Sequence, residues 1–244
     1  MVEVKHMVKI GLRLSVYMLV VLLSATRLVC AQGSAVKKEA AILADRQFEN
    51  VRLEEQSVEI LFTSLSLTYD IPIGLEIASN DDNSATYALD LKKGTLTDLL
   101  TQFARQHNQY TWEIKDGVVN IFPKHNYRDF VLDELLGTQI SKFSLKENSS
   151  CWTLVESLTD TLEVRKILQT YGMTRSGLNF SGAYFPQVGT RFKFDVTDMT
   201  VRTILNKVIK ESPVAKIWLI KRYSGGGTFD IRLNARHENL TTQE

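Results

Sequence analysis

Apolar and polar positions along the chain spell the same short phrase twice. Tyr87, Leu89 and Leu91 alternate with polar residues, Thr95 follows, and Leu96, Leu99, Leu100, Phe103 and Ala104 then recur at helical spacing. Phe192, Phe194, Val196, Thr200, Val201, Ile204, Leu205, Val208 and Ile209 repeat that order 105 residues later. Period-two alternation marks a half-buried strand and the i, i+3, i+4 pattern marks an amphipathic helix, so one strand-helix unit occurs in two copies. A repeat of this size points to paired small modules rather than to one continuous catalytic core.

The flanking patterns extend each copy. In the first, Val51 to Glu54 alternates as a short strand, and Ser57 opens a helix whose face holds Val58, Leu61, Phe62, Leu65 and Tyr69. Pro72 and Gly74 are expected to stop that helix, Ile73, Leu75 and Ile77 to form a strand, and Ser79 to Asn83 a loop. Thr95 with Asp98 three residues on is a capping-box start for a helix running to about His107. Tyr110, Trp112 and Ile114 alternate, Asp116-Gly117 supplies a tight turn, and Val119 with Ile121 returns. The module reads β-α-β-β-α-β-β. In the second copy, Ile140, Phe143 and Leu145 open a strand, and Leu154, Val155, Leu158, Leu162, Ile167 and Leu168 mark a helical region long enough to be broken. Strand 191–196, helix 200–211 ended by Pro213, and a hairpin of 217–222 with 228–233 around Ser224 to Gly227 complete it. Trp218 and Ile220 stand where Trp112 and Ile114 stood, shifted by one inserted residue. The fold class expected is α+β, with two tandem modules whose helices pack on a small mixed sheet, each able to fold alone.

The N-terminus follows a different pattern. Lys5, Lys9 and Arg13 precede an apolar run from Leu14 to Ser24, and Val29-Cys30-Ala31 offers small residues at a cleavage position. That is the pattern of a secretory signal, and the run is short of the ~20 residues a spanning helix needs. The expected organisation is 1–31 signal peptide, 32–50 linker, whose polar, alanine-rich residues 33–50 read equally as a fraying first helix, 51–123 first module, 124–137 connector, 138–234 second module and 235–244 polar tail. The leader holds four of the 29 basic residues and one of the 28 acidic ones, so the remainder carries 25 against 27. A nucleic-acid binder shows a concentrated basic excess instead; the densest basic stretch, Lys216 to Arg222, alternates with apolar residues and reads as a solvated strand face. Loss of Cys30 with the leader leaves Cys151 as the one thiol, a buried filler at a helix start, and no intrachain disulfide. The remaining roughly 213 residues suffice for two domains held by apolar cores.

The stretch Tyr87 to Leu100, YALDLKKGTLTDLL, followed by Trp112 to Ile121, WEIKDGVVNI, resembles the short N-terminal domain shared by secretins and TonB-dependent receptors. Phe192 to Val201, FKFDVTDMTV, resembles a more diverged member. The resemblance implies an exported envelope protein of a bacterium with an outer membrane, in the periplasm or at the outer membrane. It also implies partners among secretins, transport or signalling components. With about ten residues after the second copy, the expectation is a chain that makes no pore and inserts in no membrane once the leader is cleaved.

Candidate chemistry is sparse. His107, His125 and His237 lie in no metal-ligand spacing, and His107 suits a helix C-terminus. Asp81-Asp82 lacks the spacing of a calcium loop. Gly225 to Gly227 lies between strands rather than before a helix, so it is a hairpin tip and not a phosphate cradle. Asp90 and Asp195 occupy one position in both copies and read as outward strand residues. Asn148, Asn179 and Asn239 begin Asn-x-Ser/Thr sequences that matter only in a eukaryotic secretory setting. No cofactor, metal or catalytic group is expected.

One segment stands out as a contact surface. Gly177 to Gly189 sets Phe180, Tyr184 and Phe185 among glycines and a proline, and aromatic residues on loops are enriched in interfaces. The function expected is a non-catalytic protein-protein interaction or assembly protein. Its rivals are a small-ligand or glycan binder with a groove between the modules and, behind it, an enzyme.

Overall fold

The computed structural model describes residues 37–78, 85–146, 151–176, 194–212, 215–223 and 227–235. The fold is mixed α+β, as the patterns predict. A helix at 37–44 (α1) leads into β1 (Gln47–Gln56), α2 (Val58–Tyr69), β2 (Ile73–Glu76), β3 (Tyr87–Thr95), α3 (Leu96–Gln106), β4 (Tyr110–Lys115) and β5 (Val118–Pro123). After a 3-10 turn at His125–Tyr127 come α4 (Phe130–Gly137), β6 (Gln139–Leu145), α5 (Cys151–Thr159), α6 (Leu162–Thr170), β7 (Thr174–Arg175), β8 (Phe194–Thr200), α7 (Val201–Glu211), β9 (Ala215–Arg222) and β10 (Thr228–Ala235).

The repeat extends to register and caps. β1 pairs antiparallel with β3, and Gln47 lies opposite Thr95; β6 pairs antiparallel with β8, and Gln139 lies opposite Thr200. Thr95 and Thr200 both cap the helix that follows, each accepting from the amide three residues on, with Asp98 completing a capping box in the first copy. α2 ends where Asp70 turns left-handed and the Ile71 amide reaches back to the Ser66 carbonyl; α6 ends at Gly172, also left-handed, with Met173 reaching Leu168. The long helical region of the second copy is broken, as its length suggests, between Thr159 and Leu162.

Three features differ from the sequence expectations. Of the two readings of 32–50, the helix is the one present, as α1, followed by the start of β1, and the connector read over 124–137 contains α4, whose Val131, Leu132, Leu135 and Leu136 are buried in the second core. α4 is short and lies outside the repeating phrase, so the sequence pattern did not mark it. The strand read over 191–196 is β8, Phe194–Thr200, with 191–193 outside the described residues.

The largest difference is in the sheet. Each copy supplies three strands of like arrangement, β4-β5-β2 and β9-β10-β7, in which the outer hairpin is antiparallel and the last pair parallel. β2 then pairs in parallel with β9, so that the six strands form one sheet. Its order requires the second copy to be turned end over end. Ile73, Leu75, Val119, Ile121, Ile217 and Leu219 lie in register on one face and belong to the first core, with α2 and α3. Trp218, Ile220, Ile231 and Leu233 point to the other face and belong to the second, with α4 to α7. β9 therefore serves both cores. The reading of Lys216 to Arg222 as a solvated face is overturned: Ile217 to Ile220 are fully buried, an unbroken apolar run of a strand covered on both faces. Its basic residues sit at the ends, with Lys216 paired to Asp70, Lys221 to Glu59 and Arg222 to Asp129.

Candidate protein interface

The aromatic loop residues Phe180, Tyr184 and Phe185 lie outside the described residues, as do the leader 1–31, Asp81, Asp82 and His237. Among the other candidates, Asp90 and Asp195 are exposed on their strands while Leu89 and Phe194 point into the cores, as the alternation requires. His107 forms the C-cap of α3, its ring against Tyr87 and Phe103. Cys151 opens α5. Among the described residues no three His, Cys, Asp or Glu side chains are placed to hold a metal ion, and no helix is long and apolar enough to cross a membrane.

The polar chemistry of the described residues gathers where the copies meet. Glu76, at the end of β2, is buried and accepts from Arg202 of α7 at 2.6 Å. Arg202 also lies 3.7 Å from Asp133 of α4, which pairs with Arg128. Burial pushes the Glu76 carboxyl up to about 7; Arg202 and Arg128 oppose that rise and Asp133 adds to it. Four residues further along α7, Asn206 donates to Asn120 of β5 at 3.0 Å and accepts the Trp218 indole N–H at 2.7 Å. Another turn on, Lys210 pairs with Glu39 of α1. On the opposite sheet face Glu59 of α2 holds Arg232 and Lys221, and Arg232 also binds Asp230. Every carboxylate of these clusters is engaged by a cation, and their surroundings are packed side chains. Among the described residues, that arrangement locks the two copies together across the β2-β9 joint.

Gly74 makes the joint possible. A Cβ there would lie 2.5 Å from the Trp218 ring, so only glycine lets the indole cross β2. The expectation that Gly74 helps stop a helix is corrected: α2 already ends at Asp70. Sequence reading had no signal for the contact, because it joins residues 144 positions apart.

The same surface recurs, uncovered, on the first copy. β4 is an edge strand with β5 on one side and no strand on the other among the described residues. A two-residue turn joins Lys115 to Val118, which directs the main chain of Lys115, Glu113 and Thr111 to β5 and that of Trp112 and Ile114 to the open side. The counterpart Ile220 carbonyl in β9 accepts from Ile77 of the first copy. Trp112 and Ile114 are half-buried, whereas Trp218 and Ile220 are fully buried. On α3, Thr101 and Arg105 occupy the places of Asn206 and Lys210 and line a shallow open groove with Leu91, Asp98, Gln102 and Gln106. No family model, curated protein or solved structure matches the chain.

Proposed function

We propose that this chain is a non-catalytic interaction and assembly protein of the bacterial cell envelope, exported by its leader and built from two domains of the secretin and TonB-receptor short N-terminal type. The observation that carries the reading is the open β4 edge beside Trp112 and Ile114, the surface that in the second copy is already engaged in strand addition. Edge strands with unpaired main-chain groups are sites for a further strand. Export and the envelope setting rest on the leader and on the resemblance of 87–100 and 112–121. The partner belongs to a secretin, transport or signalling assembly, and the aromatic loop with Phe180, Tyr184 and Phe185 is a second contact surface.

Cross-linking in the native envelope followed by capture of the chain tests the reading: an envelope protein recovered with cross-links to β4, α3 or the 177–189 loop supports it. Cross-links confined to other surfaces would overturn the assignment of the interface. Changing Tyr184 and Phe185 together to Ala should weaken capture by about 2 kcal/mol or more while leaving the melting temperature in place. Mass spectrometry of the exported protein should find an N-terminus near Gln32.

A further inference from the structure

We propose that the open edge of β4 takes an extended segment of a partner protein, added in parallel, with glycine opposite Trp112, a basic residue opposite Glu113 and an acidic residue opposite Lys115. This names the chemistry of the partner for the interaction reading above and rests on it. The template is the joint inside the chain. There β2 runs parallel to β9 with Gly74 opposite Trp218, Leu75 opposite Leu219 and Glu76 opposite Ile220, and the Ile77 amide donates to the Ile220 carbonyl at 3.0 Å. Trp112 and Ile114 hold the places of Trp218 and Ile220 in the first copy, and their main chains point to the side away from β5. Among the described residues no main-chain group bonds to that side of β4.

The joint also shows what an added strand must carry. The Trp218 ring lies across β2, and a Cβ at Gly74 would meet it at 2.5 Å. An indole in the equivalent place makes the same demand of its own neighbour, so the residue opposite Trp112 is glycine. Trp112 is half-buried where Trp218 is fully buried, which is the exposure that a neighbouring strand would remove. The other face of β4 decides that the occupant is a lone segment and not a domain. Ile217 and Leu219, which alternate with Trp218 in β9, are buried in the first core, so covering β9 takes a body with an apolar core. Their counterparts in β4 are Thr111 and Glu113, followed by Lys115. Thr111 is half-buried, Glu113 and Lys115 are exposed, and neither charge enters an ion pair among the described residues. That face stays in water when a strand is added. Opposite charges facing each other on neighbouring strands attract and like charges repel, which fixes the signs opposite Glu113 and Lys115.

The probe is a fluorescently labelled peptide, Ser-Thr-Gly-Lys-Val-Glu-Ser, whose threonine to glutamate fall opposite Thr111 to Lys115, and its binding to the full chain is read by anisotropy. The expected result is saturable binding that the peptide of reversed order lacks. Valine in place of the peptide glycine should weaken binding about tenfold or more. The same change should cost nothing against Trp112→Ala, because the ring that excludes a side chain is gone. Exchanging the peptide lysine and glutamate should weaken binding about threefold, and Glu113→Lys with Lys115→Glu in the chain should restore it. Methylating the lysine amide, which faces β4, should abolish binding, while methylating the glycine amide, which faces away, should spare it. Circular dichroism reports the folding of each variant, and Trp112→Leu replaces Trp112→Ala if that variant fails to fold. Absence of saturable binding overturns the proposal, as does binding indifferent to the peptide glycine or unchanged in its glycine preference by loss of the indole. Self-association of the chain through β4 that excludes the peptide would refute the segment as occupant. No peptide binding with an envelope protein still cross-linked to β4 would overturn the proposal while leaving the interaction reading intact.

Discussion

Gly74 and Glu76 stand two residues apart on the strand that joins the halves, and each has a measurable consequence. Gly74→Ala drives a methyl into the buried Trp218 ring, with no flexible side-chain end to move aside. The expected loss is about 2 kcal/mol or more, read from urea denaturation. Glu76 behaves differently because its burial shows only when it ionises. Its folded value of about 7 lies above the ordinary 4.5, so the folded chain holds this proton after the unfolded chain has released it. This contribution to stability is therefore favourable at low pH and is lost as pH rises from about 4.5 through about 7. Glu76→Gln should remove the dependence: relative to the parent, it should gain roughly 3 kcal/mol between pH 4 and pH 8. Denaturation at those two pH values checks it, and equal differences at both would show that Arg202 keeps the carboxylate charged throughout.

At the scale of elements, the two strand-helix units offer an internal control. Thr95 and Thr200 cap equivalent helices, but Thr200 lacks the reciprocal carboxylate, since Thr203 stands where Asp98 does. Thr200→Ala should cost about 1 kcal/mol. Leu100 of α3 is fully buried in the first core, and Leu100→Ala should cost roughly 2–5 kcal/mol. Both are read by chemical denaturation. Most of these elements were legible in the chain because their cause is local: Ser57, Thr95 and Thr200 at helix starts, Asp116-Gly117 with both residues at positive φ in the hairpin turn, and alternation in β3 and β8. α1 was legible only as one of two readings, a linker or a fraying first helix, and α4 was not read at all, because a two-turn helix spans too few residues for a period to be told from chance.

Among the described residues the two copies share one six-stranded sheet where the chain suggested two separate modules. Ile217 and Leu219, from the second copy, complete the first core, and Val118 from the first belongs to the second. A fragment spanning 45–124 would expose β2 with Ile73 and Leu75 along the edge that β9 covers, and Val118 on the face that the second core covers. A fragment spanning 138–236 would leave β9 covered on one face only. We expect the full described fold to unfold in a single transition, each fragment to be much less stable than the whole, and mixing of the two to restore structure measured by circular dichroism. Two fragments as stable as the parent would show that the shared strand contributes little.

The amino-acid sequence by itself determined the duplication, the α+β class, the order β-α-β-β-α-β-β from β1 to β5, most helix starts and the core positions of the two repeated strand-helix units. All of these follow from periodicity and capping, which act over a few neighbouring residues. Only the tertiary structure decided that β2 and β9 pair, that the second copy is turned over relative to the first, that Trp218 requires Gly74, and that Glu76 is buried against Arg202. The warning was present in Ile217-Trp218-Leu219-Ile220, where alternation gives way to a continuous apolar run. Such a run says that a strand is covered on both faces, but not by what, because the partner lies 144 positions away and is chosen by shape and hydrogen bonding rather than by local pattern.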